Sequence, residues 1–123
     1  MSRVDLKSMT IEELVERFAT LAIEQDHAGL HDDIPRVNRL YDQIKMTEAE
    51  LKSRSGDQRT ALLTLYTHRN VQVRLRAALA TLAIAATASR AVLQEIIERK
   101  EYPQMADAIG MLRALDAGRY VPE

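Results

Sequence analysis

Apolar positions in this chain recur at three- and four-residue intervals, the period of a helix with one buried face. Ile11, Leu14, Val15, Phe18, Leu21 and Ala22, with Gln25 on the same face, form the first stripe. Thr10 and Glu13 open it as a capping box, in which the hydroxyl accepts an early backbone N–H and the carboxylate reaches back. Glu12, Glu13 and Glu16 put negative charge where the helix dipole favours it. The pattern predicts a helix from about Ile11 to Asp26, with Gly29 as its stop. Asp32 or Asp33 caps a second helix, and Pro35 lies in its first turn, where a missing N–H costs little. Its stripe runs through Ile34, Val37, Leu40, Tyr41, Ile44 and Leu51, past Lys52, and ends within Ser53 to Gly56.

Asp57 then caps a short third helix with Ala61, Leu62, Leu65 and Tyr66 inward, followed by a tight turn over Thr67 to Asn70. A fourth helix is expected from Val71 to Ala85, broken at Thr87-Ala88-Ser89. Ala91, Val92, Leu93, Ile96 and Ile97 build a fifth, and Tyr102-Pro103 separates it from a sixth over Gln104 to Ala117, before Gly118. No sustained period-two run competes as a strand.

The stretch Asn70 to Leu82, NVQVRLRAALATL, stands apart because small alanines follow Val73-Arg74 on more than one side. That composition predicts a helix buried on two faces. Shifting it by 33 residues places Val73 on Ala106, Arg74 on Asp107, Ala77 on Gly110 and Leu82 on Leu115. If these are equivalent positions of stacked helices, Arg74 and Asp107 form an ion pair linking them, and Gly110 allows close helix approach.

Asn70-Val71-Gln72-Val73-Arg74 with Ala77, Ala78 and Ala80 resembles the second helix of a HEAT repeat. The usual hairpin Pro is absent, and the sixth helix replaces the repeat Arg with Asp107. More closely, MTIEELVERF from Met9, NRLYDQ from Asn38, LLTLYTHRNVQVRLRAALATL from Leu62 and MLRALDAG from Met111 resemble a small bacterial HEAT-like family of unknown function. The resemblance implies an all-α fold: three helical hairpins, about six helices, in one right-handed α-α superhelix spanning residues 1–123. It implies a bacterial cytoplasmic setting and brings no catalytic residue.

Composition agrees with helices. Trp is absent and Phe18 is the only Phe, so the core is built from aliphatic side chains rather than the aromatics that favour sheets. No cysteine means no disulfide and no thiolate, which suits a reducing compartment. The longest apolar run, Ala77 to Ala88, is far short of a membrane span, and no basic segment followed by an apolar one opens the chain as a leader would. Net charge is −1, divided as −3 over residues 1–56 and +2 over 57–123.

Three constellations carry possible chemistry. Glu24, His27 and His31, with Asp32 or Asp33, have spacings that could hold a metal on a continuous helix, but a stop at Gly29 leaves them in a polar loop, and no metal site or cofactor is assigned. His68 with Asp57 or Asp107 could pair a base with its orienting carboxylate, yet His68 sits in a hairpin turn where polar residues serve the backbone. Arg59, Arg69, Arg74, Arg76 and Arg90 could line a phosphate groove. Only Tyr41, Tyr66, Tyr102 and Tyr120 are available to stack on bases with them, so nucleic acid is the lesser expectation.

The reading that follows is a non-enzymatic protein-interaction module. Its expected partner-binding residues are His68, Arg69, Asn70, Arg76 and Tyr102, with Arg74 and Asp107 as the internal link. The partner is an unidentified protein. Apolar end surfaces of a short helical stack also offer a homodimer through the first or last hairpin.

Overall fold

The computed structural model describes residues 4–123, all of whose regular structure is helical. Its order is a short 3-10 turn at Leu6–Ser8, α1 (Ile11–Leu30), α2 (Ile34–Ser53), a 3-10 helix at Gln58–Thr67, α3 (Val71–Ala80), α4 (Ala86–Glu98) and α5 (Gln104–Asp116). None of these helices is long and apolar enough to cross a membrane. The chain divides into two compact units, residues 1–61 and 62–123.

In the first unit α1 and α2 form an antiparallel hairpin. Thr10 Oγ1 accepts from the Glu13 N–H at 3.1 Å while Glu13 Oε1 accepts from the Thr10 N–H at 2.8 Å, the expected capping box. Leu14, Phe18, Leu21, Ala22 and Ala28 of α1 are buried, as are Leu40, Ile44 and Leu51 of α2. The Thr47 hydroxyl, also buried, donates to the Gln43 carbonyl of its own helix, so its polar atom costs little there. Arg54 donates to Glu50 at 2.7 Å and to the carbonyls of Leu6 and Met9, tying the end of α2 to the segment before α1.

Helix α1 runs to Leu30 and passes through Gly29, four residues beyond the expected end. Its stop is Asp32, with φ +54°. The Asp33 N–H reaches back to the Ala28 carbonyl at 2.9 Å and the Asp32 N–H to Gly29 at 3.1 Å, the two bonds of a Schellman cap. Asp tolerates the left-handed region because its short polar side chain bonds locally, so the glycine is not needed for the turn.

The segment after Asp57 departs from expectation in kind: it is a 3-10 helix, not α. With three residues per turn, positions three apart share a face, and Arg59, Leu62 and Leu65 are the buried ones. A period of 3.6 had grouped Ala61 and Tyr66 with Leu62 and Leu65; both are half-buried instead. Arg59 is accommodated by Asp57, which receives its Nε at 2.9 Å and an Nη at 2.7 Å.

In the second unit α3, α4 and α5 pack on one another around Leu75, Ala78, Leu82, Leu93, Ile96 and Ala108. Val73, Ala77 and Ala80, on the other side of α3, are buried too, so this helix does have two buried faces. It ends at Ala80, not Ala85. The Thr81 hydroxyl donates to the Ala77 carbonyl at 2.8 Å and accepts the Tyr66 phenol, fixing the chain as it leaves the helix. Thr87-Ala88-Ser89 is therefore no break; it forms the first turns of α4. Gly110 likewise needs no close neighbour: it is exposed on α5, and a Cβ there would meet nothing within 4 Å.

Candidate interaction edge

The edge of the second unit is built where α3 and α5 begin. Asn70 caps α3, its Oδ1 accepting from the N–H groups of Gln72 at 2.8 Å and Val73 at 3.2 Å. The Asn70 N–H in turn donates to His68 Nδ1 at 3.0 Å, which fixes the imidazole in the turn. From the first turn of α3, Arg74 folds back over this loop, and its Nε donates to the His68 carbonyl at 2.7 Å.

The other end of the Arg74 guanidinium meets Glu101. Two parallel bonds, 2.9 and 2.7 Å long, form a bidentate pair with the Arg74 side chain only 8% exposed. Glu101 is delivered by the cap of α4. Lys100 adopts φ +54°, its N–H bonds to the Ile97 carbonyl, and the Glu101 N–H bonds to Ile96, a second Schellman arrangement on a non-glycine residue. One guanidinium thus joins the turn before α3 to the loop before α5.

These contacts correct the expected Arg74–Asp107 link. Helix α3 does touch α5, and Gln104 donates to Gln72 at 2.9 Å between them. Asp107, however, lies exposed on α5, while Glu101 reaches the guanidinium from the loop before that helix. The bond to Arg74 holds the Glu101 carboxyl below its ordinary range, and the same bond raises Arg74 against the opposing effect of burial. Hydrogen bonds from Arg59 likewise lower Asp57. Tyr66 is raised because burial disfavours its phenolate.

Of the five residues expected to bind a partner, the structure gathers four. His68, Arg69 and Asn70 form the turn, and Tyr102, 71% exposed as a residue, follows Glu101. Arg69 is exposed, whereas His68 and Asn70 are half-buried and committed to the turn. Arg76 does not join them: two residues beyond Arg74, it lies across the helix and is half-buried. Lys100 and Glu101 belong to the edge but were not foreseen, because no short spacing connects them to Arg74.

The other constellations rearrange. Because α1 continues, the His27 and His31 rings lie against each other, with centroids 4.4 Å apart and planes tilted by 38°, and His31 Nδ1 bonds the His27 carbonyl at 2.9 Å. Among the described residues no group of three His, Cys, Asp or Glu side chains is placed to hold a metal ion. The Asn70 N–H, rather than a carboxylate, occupies His68 Nδ1, in keeping with the reading of His68 as a residue that serves the turn. Three of the five arginines of the basic stretch hold carboxylates: Arg59 with Asp57, Arg74 with Glu101 and Arg90 with Asp116.

The crystal structure of the protein RPA1889 from Rhodopseudomonas palustris CGA009 is similar to this one, with a TM-score of 0.95 and 45% sequence identity over 98% of this chain and 100% of that one. No curated protein matches the chain. Residues 12–116, which run from the second residue of α1 to the last of α5, match the domain of unknown function DUF2019, and the chain belongs to that family.

Proposed function

We propose that this protein is a non-enzymatic interaction module that takes a partner protein on the edge formed by His68 to Asn70 and Lys100 to Tyr102. The observation that carries this reading is the stitched edge itself. Arg74 holds two loops in one fixed geometry while Arg69, Lys100 and Tyr102 remain exposed beside it. A surface fixed before binding loses less entropy on association than a mobile loop does. Tyrosine and arginine, both exposed here, are also residue types on which interface energy concentrates. HEAT-like stacking of helical hairpins into a right-handed superhelix is part of the proposal, supported by the two-sided burial of α3.

Affinity capture from the native host tests the reading when run in parallel with wild type and a Tyr102→Ala/Arg69→Glu variant. The expected result is a protein retained by wild type and lost from the variant, with both giving the same helical circular dichroism. Equal recovery by both would place binding elsewhere.

A further inference from the structure

We infer that the partner recognised at this edge is acidic, presenting a short cluster of carboxylates. The inference rests on the proposed binding edge and follows from counting its hydrogen-bonding groups. Three acceptors of the turn are consumed internally. The His68 carbonyl takes Arg74 Nε, His68 Nδ1 takes the Asn70 N–H, and Asn70 Oδ1 takes two helix N–H groups. Glu101 would otherwise put a negative charge at the edge, but both of its oxygens are held by Arg74.

What remains for a ligand is mostly donors. Arg69 and Lys100 are exposed and hold no ion pair among the described residues, and Tyr102 adds an exposed phenol. With Nδ1 accepting, the neutral His68 ring carries its proton on Nε2 and is a donor as well. A donor-rich edge with two cations calls for an acceptor-rich, anionic ligand.

Its boundaries argue for carboxylates on a protein rather than a nucleic-acid backbone. Arg99, next to Lys100, is engaged by Glu95 at 3.2 Å, and Glu98 and Asp107 are exposed on α4 and α5. Those acids disfavour a continuous run of phosphates and so limit an anionic ligand here to a short one. The left-handed Lys100 contributes here too, since the α4 cap that turns Glu101 inward toward Arg74 leaves the Lys100 side chain exposed.

The test is an NMR titration of the full, 15N-labelled chain with hexaglutamate, hexalysine and a short oligothymidylate at low salt. Hexaglutamate should shift the amide signals of Arg69, Lys100 and Tyr102 selectively, and added salt should weaken the effect. An Arg69→Glu/Lys100→Asn variant should bind it about tenfold more weakly or worse. Asn tolerates the left-handed backbone at position 100, so that variant keeps the cap. Shifts spread over arginines elsewhere, or a response to hexalysine at this edge, would overturn the inference. Tighter binding of the oligothymidylate at the same signals would overturn it in favour of phosphate. If hexaglutamate has no effect while host-partner capture is still lost on Arg69→Glu, the acidic assignment fails and the edge stands. If capture is also unaffected, both fail.

Discussion

The two units of this protein are both helical and of similar size, yet they are held by different means. The first is a hairpin of two 20-residue helices whose buried faces carry large side chains, Phe18, Leu14, Ile44 and Leu51. Its polar ties are a capping network at the helix ends and two long bonds between the helices, Arg17 to Gln43 at 3.3 Å and Gln25 to the Val37 carbonyl at 3.4 Å. The second uses helices of 10, 13 and 13 residues, and α3 offers alanines rather than large side chains at Ala77, Ala78 and Ala80. Polar bonds cross between its elements: Arg74 to Glu101, Gln72 to Gln104 and Tyr66 to Thr81. Long amphipathic helices gain enough from burial to fix one another. Short helices with small side chains bury less apolar area, and directional bonds then specify which partner lies where.

Truncating the first unit's core should have the largest effect. Phe18→Ala removes a fully buried ring and should destabilise by about 3–5 kcal/mol, measured by urea unfolding followed by circular dichroism. A loss under about 1 kcal/mol would mean that apolar packing is not what holds the hairpin.

In the second unit Glu101→Ala should approach that size, at about 3 kcal/mol, because it leaves a guanidinium buried without its carboxylate. Replacing both partners, as Arg74→Met/Glu101→Leu, should recover much of the loss, since no unpaired charge is then buried. If the double variant is as unstable as Glu101→Ala, the contribution is not that of an ion pair.

Acid should act through the same pair. Glu101 and Asp57 both have carboxyls lowered in the folded state, so the stabilisation they supply is present above their unfolded values and is lost as pH falls through the folded ones. The urea midpoint of wild type should therefore fall below about pH 4.5, the ordinary glutamate value, and Glu101→Gln should flatten that slope. An unchanged slope in the variant would assign the acid sensitivity to other groups.

Tyr66→Phe should cost about 1 kcal/mol, the net value of one hydrogen bond, because Thr81 keeps its bond to the Ala77 carbonyl. The smallest effect should be a gain. Gly110→Ala should stabilise by up to about 1 kcal/mol, because the position is helical, exposed and open around a Cβ. A destabilising alanine there would revive the close helix approach expected from its place in the repeat alignment.

How far the fold was legible depended on what each feature needed. The capping box at Thr10, the cap at Asp33, and the bounds of α2 and α5 came from local chemistry, and each occurs nearly as expected. Helix stops were read from glycine, and this served at Gly56 and Gly118, which both take positive φ, but not at Gly29. Asp32 and Lys100 make the same turn without glycine, at a local cost that the reach-back bonds offset. The candidate edge was half legible: the turn at His68 to Asn70 and Tyr102 were named, but Glu101 was not. Arg74 was expected to bridge helices, and it does bridge two segments, but to a loop residue 27 positions away rather than to one 33 away. The stretch from Arg59 to Arg90 is less cationic than its five arginines suggest, for the same reason. Glu101 and Asp116 neutralise Arg74 and Arg90 from outside that stretch.

The sequence by itself determined that this chain is helical, where most helices start, and that α3 is buried on two sides, because periodicity and capping act within a few residues. The tertiary structure alone decided the form of the segment after Asp57, the end of α3 at Thr81 and the partner of Arg74. Each of those depends on which distant group comes within bonding distance, and helical period carries no information about that.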